Sequence, residues 1–269
     1  MQEQVHFGTP SRITASMLLT SVGGFVDAIG WITLLQIFTA NMSGNSIHIG
    51  MAAGQLDFSV VERFACAIFT YVVAVILARI ALEIGGRARV QRIASLTLTL
   101  EAALLLAFPR IAPPLVHGHV ADQSSPLYFA MIALLAFAMG LQTGTLTHLG
   151  TLTVYTTFVT GTLTKFAESF ARAVFWMHDT LSSGQPLSRA LKGLRRQADA
   201  LSSAFLLAVW ICYVIGAAVG TATKATWELR ALYFPVAVLV CLVLLDLVRP
   251  IAGRETLEQS STRRSSAPA

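Results

Sequence analysis

Two octapeptides that could bind a polar solute occur in this chain, each following a long apolar segment. Phe38–Asn45 aligns without gaps with Tyr155–Thr162, and both read aromatic, threonine, small, any residue, apolar, serine or threonine, glycine, polar. Membrane transporters build substrate sites from unwound helices that carry polar residues and glycine at matching positions of two halves. The repeated octapeptide therefore predicts that two related segments bind a solute.

The side chains of these octapeptides predict how the solute is bound. If residues 41–48 are helical, Asn41, Asn45 and His48 lie on one face, where amide and imidazole groups can donate and accept hydrogen bonds. Glycine within each copy permits an unwound backbone that binds directly. The alternative is close helix packing by small and hydroxyl residues. The predicted substrate or ion ligands of the two copies, with one glutamine on the segment before the second, are Asn41, Ser43, Gly44, Asn45, His48, Gln142, Thr160, Gly161, Thr162 and Lys165.

Two further candidates are carboxylic acids inside apolar segments, where a charged residue costs roughly 2.5–3.5 kcal/mol to insert. Asp27 lies about halfway along the first apolar segment, and Glu101 lies in the middle of residues 93–108. We predict that Asp27 carries a coupling proton and that Glu101 shares a proton or hydrogen-bond network with it. For each, the alternative is a packing role. Asp246, three residues before Arg249, is interpreted as half of an ion pair at the membrane interface.

The composition explains where these residues lie. The chain has 269 residues, of which 55% are hydrophobic and 12% are charged, whereas soluble domains carry about 25% charged residues. Residues 64–84, 203–223 and 232–248 are each long enough to cross a bilayer as a helix, which takes roughly 20 residues. The sequence thus predicts an all-α, polytopic integral membrane protein. No motif of a soluble enzyme and no cofactor or metal site is predicted, since three scattered cysteines lack ligand spacing.

The basic residues predict the orientation of the chain in the membrane. The chain carries 19 basic residues, and three groups of four are clustered between or after apolar segments: Arg79, Arg87, Arg89 and Arg92, then Arg189, Lys192, Arg195 and Arg196, then Arg249, Arg254, Arg263 and Arg264. Such clusters are typical of cytoplasmic loops. They argue against nucleic acid as a partner and place both termini in the cytoplasm.

With these groups on one side, each half of the chain makes three net crossings and the second half starts on the opposite side. We predict six spans plus two short or broken motif helices, arranged as a 3+3 inverted repeat. A competing interpretation counts eight full spans. The predicted parts are an N-terminal lead (1–13), the first repeat (14–110), an external loop (111–126), the second repeat (127–248) with a cytoplasmic amphipathic insertion (178–202), and a disordered cytoplasmic tail (249–269).

The sequence also resembles a known family. The resemblance rests on Gly24-Phe25-Val26-Asp27, on Asn41-Met42-Ser43-Gly44-Asn45, on Gly140-Leu141-Gln142 and on Thr160-Gly161-Thr162, and it covers the chain from about Thr14 to Val248. These motifs are similar to those of the YoaK-type family of bacterial integral membrane proteins, a domain of unknown function. The family typically has Thr-Gly-Asn where this chain has Ser43-Gly44-Asn45, which keeps the hydroxyl. The resemblance implies a multi-pass protein of the bacterial inner membrane and no established activity.

Three functions remain open at this point. The leading hypothesis is a secondary transporter, not an enzyme, that moves a small solute and is driven by protons through Asp27, with the two motifs meeting near the bilayer centre. The main rival is a membrane enzyme that acts on a lipid or quinone and brings Asp27, Glu101 and His48 together. The third is a structural membrane protein. The expected partners are the lipid bilayer, a small solute or proton, and a second copy if the chain forms a homo-oligomer; Gly216-x-x-x-Gly220 is a candidate helix-packing face.

Overall fold

Helices account for nearly all the structure of the chain, which is described here by a computed structural model over residues 10–88, 93–112, 123–145, 148–149, 152–153 and 159–248. The helices of the first half are α1 (Pro10–Thr33), α2 (Met42–Gly54), α3 (Phe58–Arg87) and α4 (Ile93–Ile111). The elements of the second half are α5 (Pro126–Thr145), the two-residue strands β1 (His148–Leu149) and β2 (Leu152–Thr153), α6 (Val159–Ser182), α7 (Leu187–Leu194), α8 (Ala198–Trp227), a 3₁₀ turn (Glu228–Leu232) and α9 (Tyr233–Val248).

Several of these helices can cross a membrane. Five segments of the described residues are long and apolar enough: Ser11–Thr33, Phe58–Gly85, Ala94–Ile111, Pro126–Thr145 and Ala198–Leu247. The last contains both α8 and α9, so six helices occupy the five segments. The prediction of a polytopic helical membrane protein is confirmed. The predicted tail, the first nine residues and most of the predicted external loop lie outside the described residues.

Glycine allows α1 and α8 to pack with their backbones in contact. A Cβ atom added to Gly24 would overlap the carbonyl oxygen of Tyr213, and one added to Gly216 would overlap that of Ser21. One turn further along, a Cβ on Gly220 would lie 2.7 Å from the carbonyl oxygen of Phe25. Small residues permit such close approach between membrane helices. The predicted packing role of Gly216 and Gly220 is confirmed.

A matching contact joins α5 to α3. A Cβ on Gly140 would lie 2.5 Å from the carbonyl oxygen of Tyr71, and one on Gly144 would lie 2.6 Å from the Cβ of Ala78. The sequences around the two tyrosines align, because Tyr-Val-Val-Ala-x-x-x-Ala in α3 (71–78) corresponds to Tyr-Val-Ile-Gly-x-x-x-Gly in α8 (213–220). Thus α1, the first helix of one half, packs on α8 of the other half, and α5, the first helix of the second half, packs on α3. We call these two contacts the glycine seams.

The directions of the helices show that the halves are inverted relative to each other. Contacts along each glycine seam advance in the same sense in both sequences, so α1 is parallel to α8 and α5 is parallel to α3. By contrast, the hydroxyl of Tyr128 donates to the carbonyl oxygen of Leu34 (2.9 Å) and the amide of Gln142 donates to that of Leu19 (2.8 Å). The first bond joins the start of α5 to the end of α1, and the second joins the end of α5 to the first half of α1. The helices α1 and α5 are therefore antiparallel. The equivalent contacts of α1 with α8 and of α5 with α3, between halves that run in opposite directions, are those expected of an inverted repeat.

The same directions gather the described basic clusters at one end of the bundle. The starts of α1 and α8 lie together, because Ile13 and Met17 pack around Phe205 and Leu206. Since α3 runs opposite to α1, its C-terminal arginines lie at this end too, as does the basic helix α7, which directly precedes α8. Arg87 of the first basic group thus lies at the same end of the bundle as the second group in and around α7.

The two motif helices occupy related places but differ in length. α2 packs antiparallel on α3, and its 13 residues, about 20 Å of helix, are too few to span a bilayer. α6 packs antiparallel on α8, where Arg172 forms an ion pair with Asp199 at 2.7 Å. Because Asp199 is in the first turn of α8, the last ten residues of α6 extend beyond that helix, and α7 folds back on them with Gly193 against Trp176.

A capped turn outside the spans connects α2 to α3. The carboxylate of Asp57 accepts hydrogen bonds from the Ser59 hydroxyl (2.7 Å) and from the backbone N–H of Val60 (3.2 Å), as an N-terminal capping residue does. The hydrogen bond from Ser59, followed by that from Val60, lowers the pKa of Asp57 below its usual value. Asp57 therefore begins α3 as a charged residue at the end of the bundle opposite the basic clusters.

Candidate functional site

Asp27 is the centre of the most connected group of polar side chains near the first motif. Its side chain is 1% exposed, and one carboxylate oxygen accepts the backbone N–H groups of Thr39 (2.7 Å) and Ala40 (2.8 Å) as well as the Thr39 hydroxyl (3.2 Å). The other oxygen accepts the hydroxyl of Tyr213 on α8 at 2.6 Å. Asp27 therefore ties together α1, the motif and α8.

These bonds show that the chain turns back into the bundle after α1. Thr39 and Ala40 contact Asp27, which lies six residues, or about 9 Å, before the end of α1. α2 then starts beside Asp27 and runs in the direction of α1, because it is antiparallel to α3. The first motif thus forms a re-entrant segment, as the sequence predicts for this half. Irregular backbone within a membrane protein has to be buried in protein or line a cavity.

The asparagines of the motif hold this irregular backbone. The side chain of Asn45 is fully buried; its oxygen accepts the Phe38 N–H (3.0 Å) and its nitrogen donates to the Phe38 carbonyl (2.8 Å). Asn41 caps α2 and accepts the Ser43 hydroxyl (2.8 Å) and the Gly44 N–H (3.4 Å). The two amides therefore make bonds within the motif itself. The helix considered over residues 41–48 begins one residue later, at Met42, and Asn41 is its N-terminal cap.

The turn that precedes the motif has an unusual backbone. Leu35 and Gln36 have φ angles of 50° and 70°, in the left-handed region that residues with side chains rarely occupy. The hydrogen bond from Tyr128 to Leu34 and the bond from the Gln36 N–H to the Trp31 carbonyl (2.9 Å) hold the turn. Strained backbone of this kind is often found at functional sites. The turn also links the motif to α5 in the other half.

An aromatic cluster covers one side of the motif. His48 stacks on Phe64 of α3 with 4.7 Å between ring centroids, and the Trp31 ring lies 4.3 Å from that of Phe38. Gly44 makes room for this cluster, because a Cβ there would lie 2.8 Å from the Phe38 ring. His48 is thus a packing partner of Phe64 as well as a predicted ligand.

The bonds of Asn45 give a direct test of the motif. Asn45→Ala leaves the N–H and the carbonyl of Phe38 buried without their partner, so we expect a loss of about 2 kcal/mol in the free energy of unfolding. The measurement is chemical denaturation of the purified protein in detergent micelles. The matched control is Ser46→Ala at the next, exposed position, whose change should stay below about 0.5 kcal/mol. Equal losses in the two variants would contradict the role given to Asn45.

The second copy of the motif begins a different helix from the first. Residues 154–158 lie outside the described residues, and Thr160, Gly161, Thr162 and Lys165 lie in the first two turns of α6. In the described part of the chain α6 packs mainly on α8, whereas α2 packs mainly on α3. That the two motifs meet stays a prediction, because half of the second copy lies outside the described residues.

The remaining predicted residues lie apart from the motif. Gln142 on α5 is fully buried and joins the two halves through Leu19. Glu101 on α4 is also fully buried, and neither of its oxygens has a hydrogen-bond partner among the described residues. The predicted network between Asp27 and Glu101 is wrong, because Asp27 is bound by Thr39, Ala40 and Tyr213. Asp27, Glu101 and His48 are not joined into one acid–base group.

Sequence reasoning missed three groups. Tyr213 and Tyr128 each hold the first motif from the second half of the chain. Ser95 of α4 is the third group, since its hydroxyl donates a hydrogen bond to the fully buried Asp246. The predicted ion pair of Asp246 with Arg249 stays a prediction, because Arg249 lies outside the described residues. The internal alignment of residues 71–78 with 213–220 could have singled out Tyr213, but no sequence signal indicated Tyr128 or Ser95.

Comparisons with known proteins identify the family of the chain. The family model described as "Protein of unknown function (DUF1275)" matches residues 15–245. The chain is also 29% identical over 167 residues to the UPF0700 transmembrane protein YoaK of Bacillus subtilis (strain 168), which covers 61% of this chain and 70% of that protein. No solved structure matches the chain. Since the family model covers most of the sequence, the chain belongs to the DUF1275 family and is a multi-pass transmembrane protein.

Proposed function

We propose that the chain is a secondary transporter of a small polar solute in the bacterial inner membrane, with both termini in the cytoplasm. The observation that carries the proposal is that each of two inverted halves packs its first helix on a helix of the other half through a glycine seam. Inverted repeats allow one half to rock against the other, which opens a site to each side of the membrane in turn.

The first motif supplies the part of the structure where such a movement acts. The re-entrant segment is fixed to α1 by Asp27 and to the second half by Tyr213 and Tyr128. Movement at a glycine seam therefore changes the position of the motif. The backbone N–H groups that precede α2 already bind the Asp27 carboxylate, which disfavours an anionic solute at this place.

One observation supports this function over the rival enzyme, and two others support the proposed orientation. The three acid–base groups that a lipid or quinone enzyme would use are not joined, as described above. The basic clusters at one end of the bundle support the orientation, since such clusters remain in the cytoplasm. The N-terminal end of α1 shares that end with α7, which supports a cytoplasmic N-terminus.

The test is a search for a solute followed by an uptake assay. Purified protein is heated in detergent with small polar solutes and ions at two pH values, and a ligand that binds the folded state raises the melting temperature. Each stabilising solute is then offered in radiolabelled form to proteoliposomes. We expect at least one solute to accumulate above the level in protein-free liposomes. The Asn45→Ala variant, in which the motif loses its hold on Phe38, should accumulate less.

A different pattern of results would end the proposal. If no water-soluble solute changes the melting temperature or enters the vesicles, transport is rejected and lipids become the compounds to test. If uptake is unaffected by Asn45→Ala at a temperature where that variant is folded, the motif is not part of the transport path.

A further inference from the structure

Three carboxylic acids are buried within the helices of the bundle, and their surroundings differ. Asp27 accepts four hydrogen bonds, and Asp246 accepts one from Ser95. Glu101 has no hydrogen-bond partner for either oxygen among the residues that the structure describes, although its side chain is 0% exposed. Of these three acids, Glu101 is the one whose bonding capacity is unused.

The environment of Glu101 is apolar. It lies on the buried face of α4, next to Leu98, Ala102 and Leu105, which belong to the main hydrophobic core. Leu239 and Leu242 of α9 contribute to the same core. An isolated carboxylate is very unfavourable in such surroundings, so the side chain is stable there only as the neutral, protonated acid.

The neighbouring elements offer Glu101 no charge partner. The elements that pack on α4 are α3, α5, α9 and the 3₁₀ turn. The ionisable residues of these elements are Glu62, Arg63, Cys66, Tyr71, Arg79, Glu83, Arg87, Tyr128, Glu228, Arg230, Tyr233, Cys241 and Asp246. In the described part of the chain none of them forms a hydrogen bond with Glu101.

We propose that Glu101 is a proton-binding site and that its proton is the one coupled to transport. In the state described here the neutral acid is sealed between α4, α5 and α9. When the halves move, water reaches the carboxyl group, the O–H bond breaks, the proton passes to water and the carboxylate is hydrated. This proposal rests on the transport function and names its coupling ion.

The test is infrared spectroscopy of the purified protein in lipid, since the C=O stretch of a protonated carboxylic acid is separate from the carboxylate and amide bands. We expect wild type to show this band and Glu101→Gln to lose it, whereas Asp27→Asn should keep it. In D₂O the wild-type band should shift, because the proposal requires that solvent reaches the proton. Glu101→Leu is a second variant that must lose the same band.

Each contrary result overturns the proposal. A band that persists in both Glu101 variants belongs to another carboxyl group. A band that is lost in the variants but never shifts in D₂O identifies an inert packing acid. The proposed transport is tested separately by the uptake assay. Failure of uptake with a band that still exchanges rejects transport and its coupling, and leaves Glu101 as a proton-binding site. Uptake that responds to a pH gradient equally in wild type and Glu101→Gln rejects Glu101 as the coupling site.

Discussion

Replacing Gly216 with alanine is expected to separate α1 from α8 and to destabilise the protein by about 3 kcal/mol or more. The added Cβ would overlap the backbone carbonyl of Ser21, and a backbone atom cannot move aside as the end of a flexible side chain can. Overpacking in a well-packed interior typically costs 1–3 kcal/mol, and here the whole glycine seam has to open. The measurement is the unfolding free energy in detergent, together with the elution profile on size exclusion.

Gly50 supplies the matched control. It lies in α2, and an added Cβ would meet nothing within 4 Å, so Gly50→Ala gains only the better helix propensity of alanine. We expect this control to be stabilised by roughly 0.5–1 kcal/mol. The second seam provides a replicate, because Gly140→Ala places a Cβ 2.5 Å from the Tyr71 carbonyl oxygen. If Gly216→Ala behaved like Gly50→Ala, the packing of the halves described here would be wrong.

The second large effect is expected at Asp27. Asp27→Ala removes the carboxylate that accepts hydrogen bonds from the Thr39 and Ala40 N–H groups and from the Tyr213 hydroxyl. These three donors then lose their acceptor. Each unsatisfied buried donor costs about 1–3 kcal/mol, and hydrogen bonds in membrane proteins lie at the low end of that range. We therefore expect a loss of about 4 kcal/mol in the free energy of unfolding.

Asp27→Asn separates the two roles of this residue. The amide oxygen can still accept both N–H groups, and the amide nitrogen can donate to the oxygen of Tyr213, so the loss should be only about 1 kcal/mol. Tyr213→Phe should cost a similar amount, and the double variant should cost less than the sum of the single ones. If Asn proved as damaging as Ala, the carboxylate itself, and not only an oxygen that accepts hydrogen bonds, would be required at this place.

Sequence patterns were sufficient for those features that depend on local composition. Apolar length gave the membrane class, because a helix must be about 20 residues long to cross the hydrocarbon. The basic clusters around Arg79 and Arg189 predicted that the two connections lie on the same side of the membrane. The structure places Arg87 and the cluster around Arg189 at one end of the bundle. The spacing of Gly216 and Gly220 predicted a packing face, because residues four apart lie on the same side of a helix.

Prediction from sequence was weaker for the site, because polar side chains have several possible partners. Asn41 and Asn45 were predicted to bind a solute, but their amides bind the backbone around Phe38 and Gly44. The re-entrant turn creates that demand, since its N–H and carbonyl groups have no helical partners and must be satisfied within the protein. A helical interpretation of residues 41–48 contains no such unpaired groups.

By itself, then, the sequence determined that the chain is a polytopic helical membrane protein with two related halves and acidic residues in its spans. The tertiary structure decided which of these acids is hydrogen-bonded. Asp27 accepts from donors that lie 12, 13 and 186 positions away in the sequence, whereas Glu101 accepts from none that the structure describes. The physical reason is that the cost of burying a carboxyl group depends on the donors around it, and those donors come from distant parts of the chain.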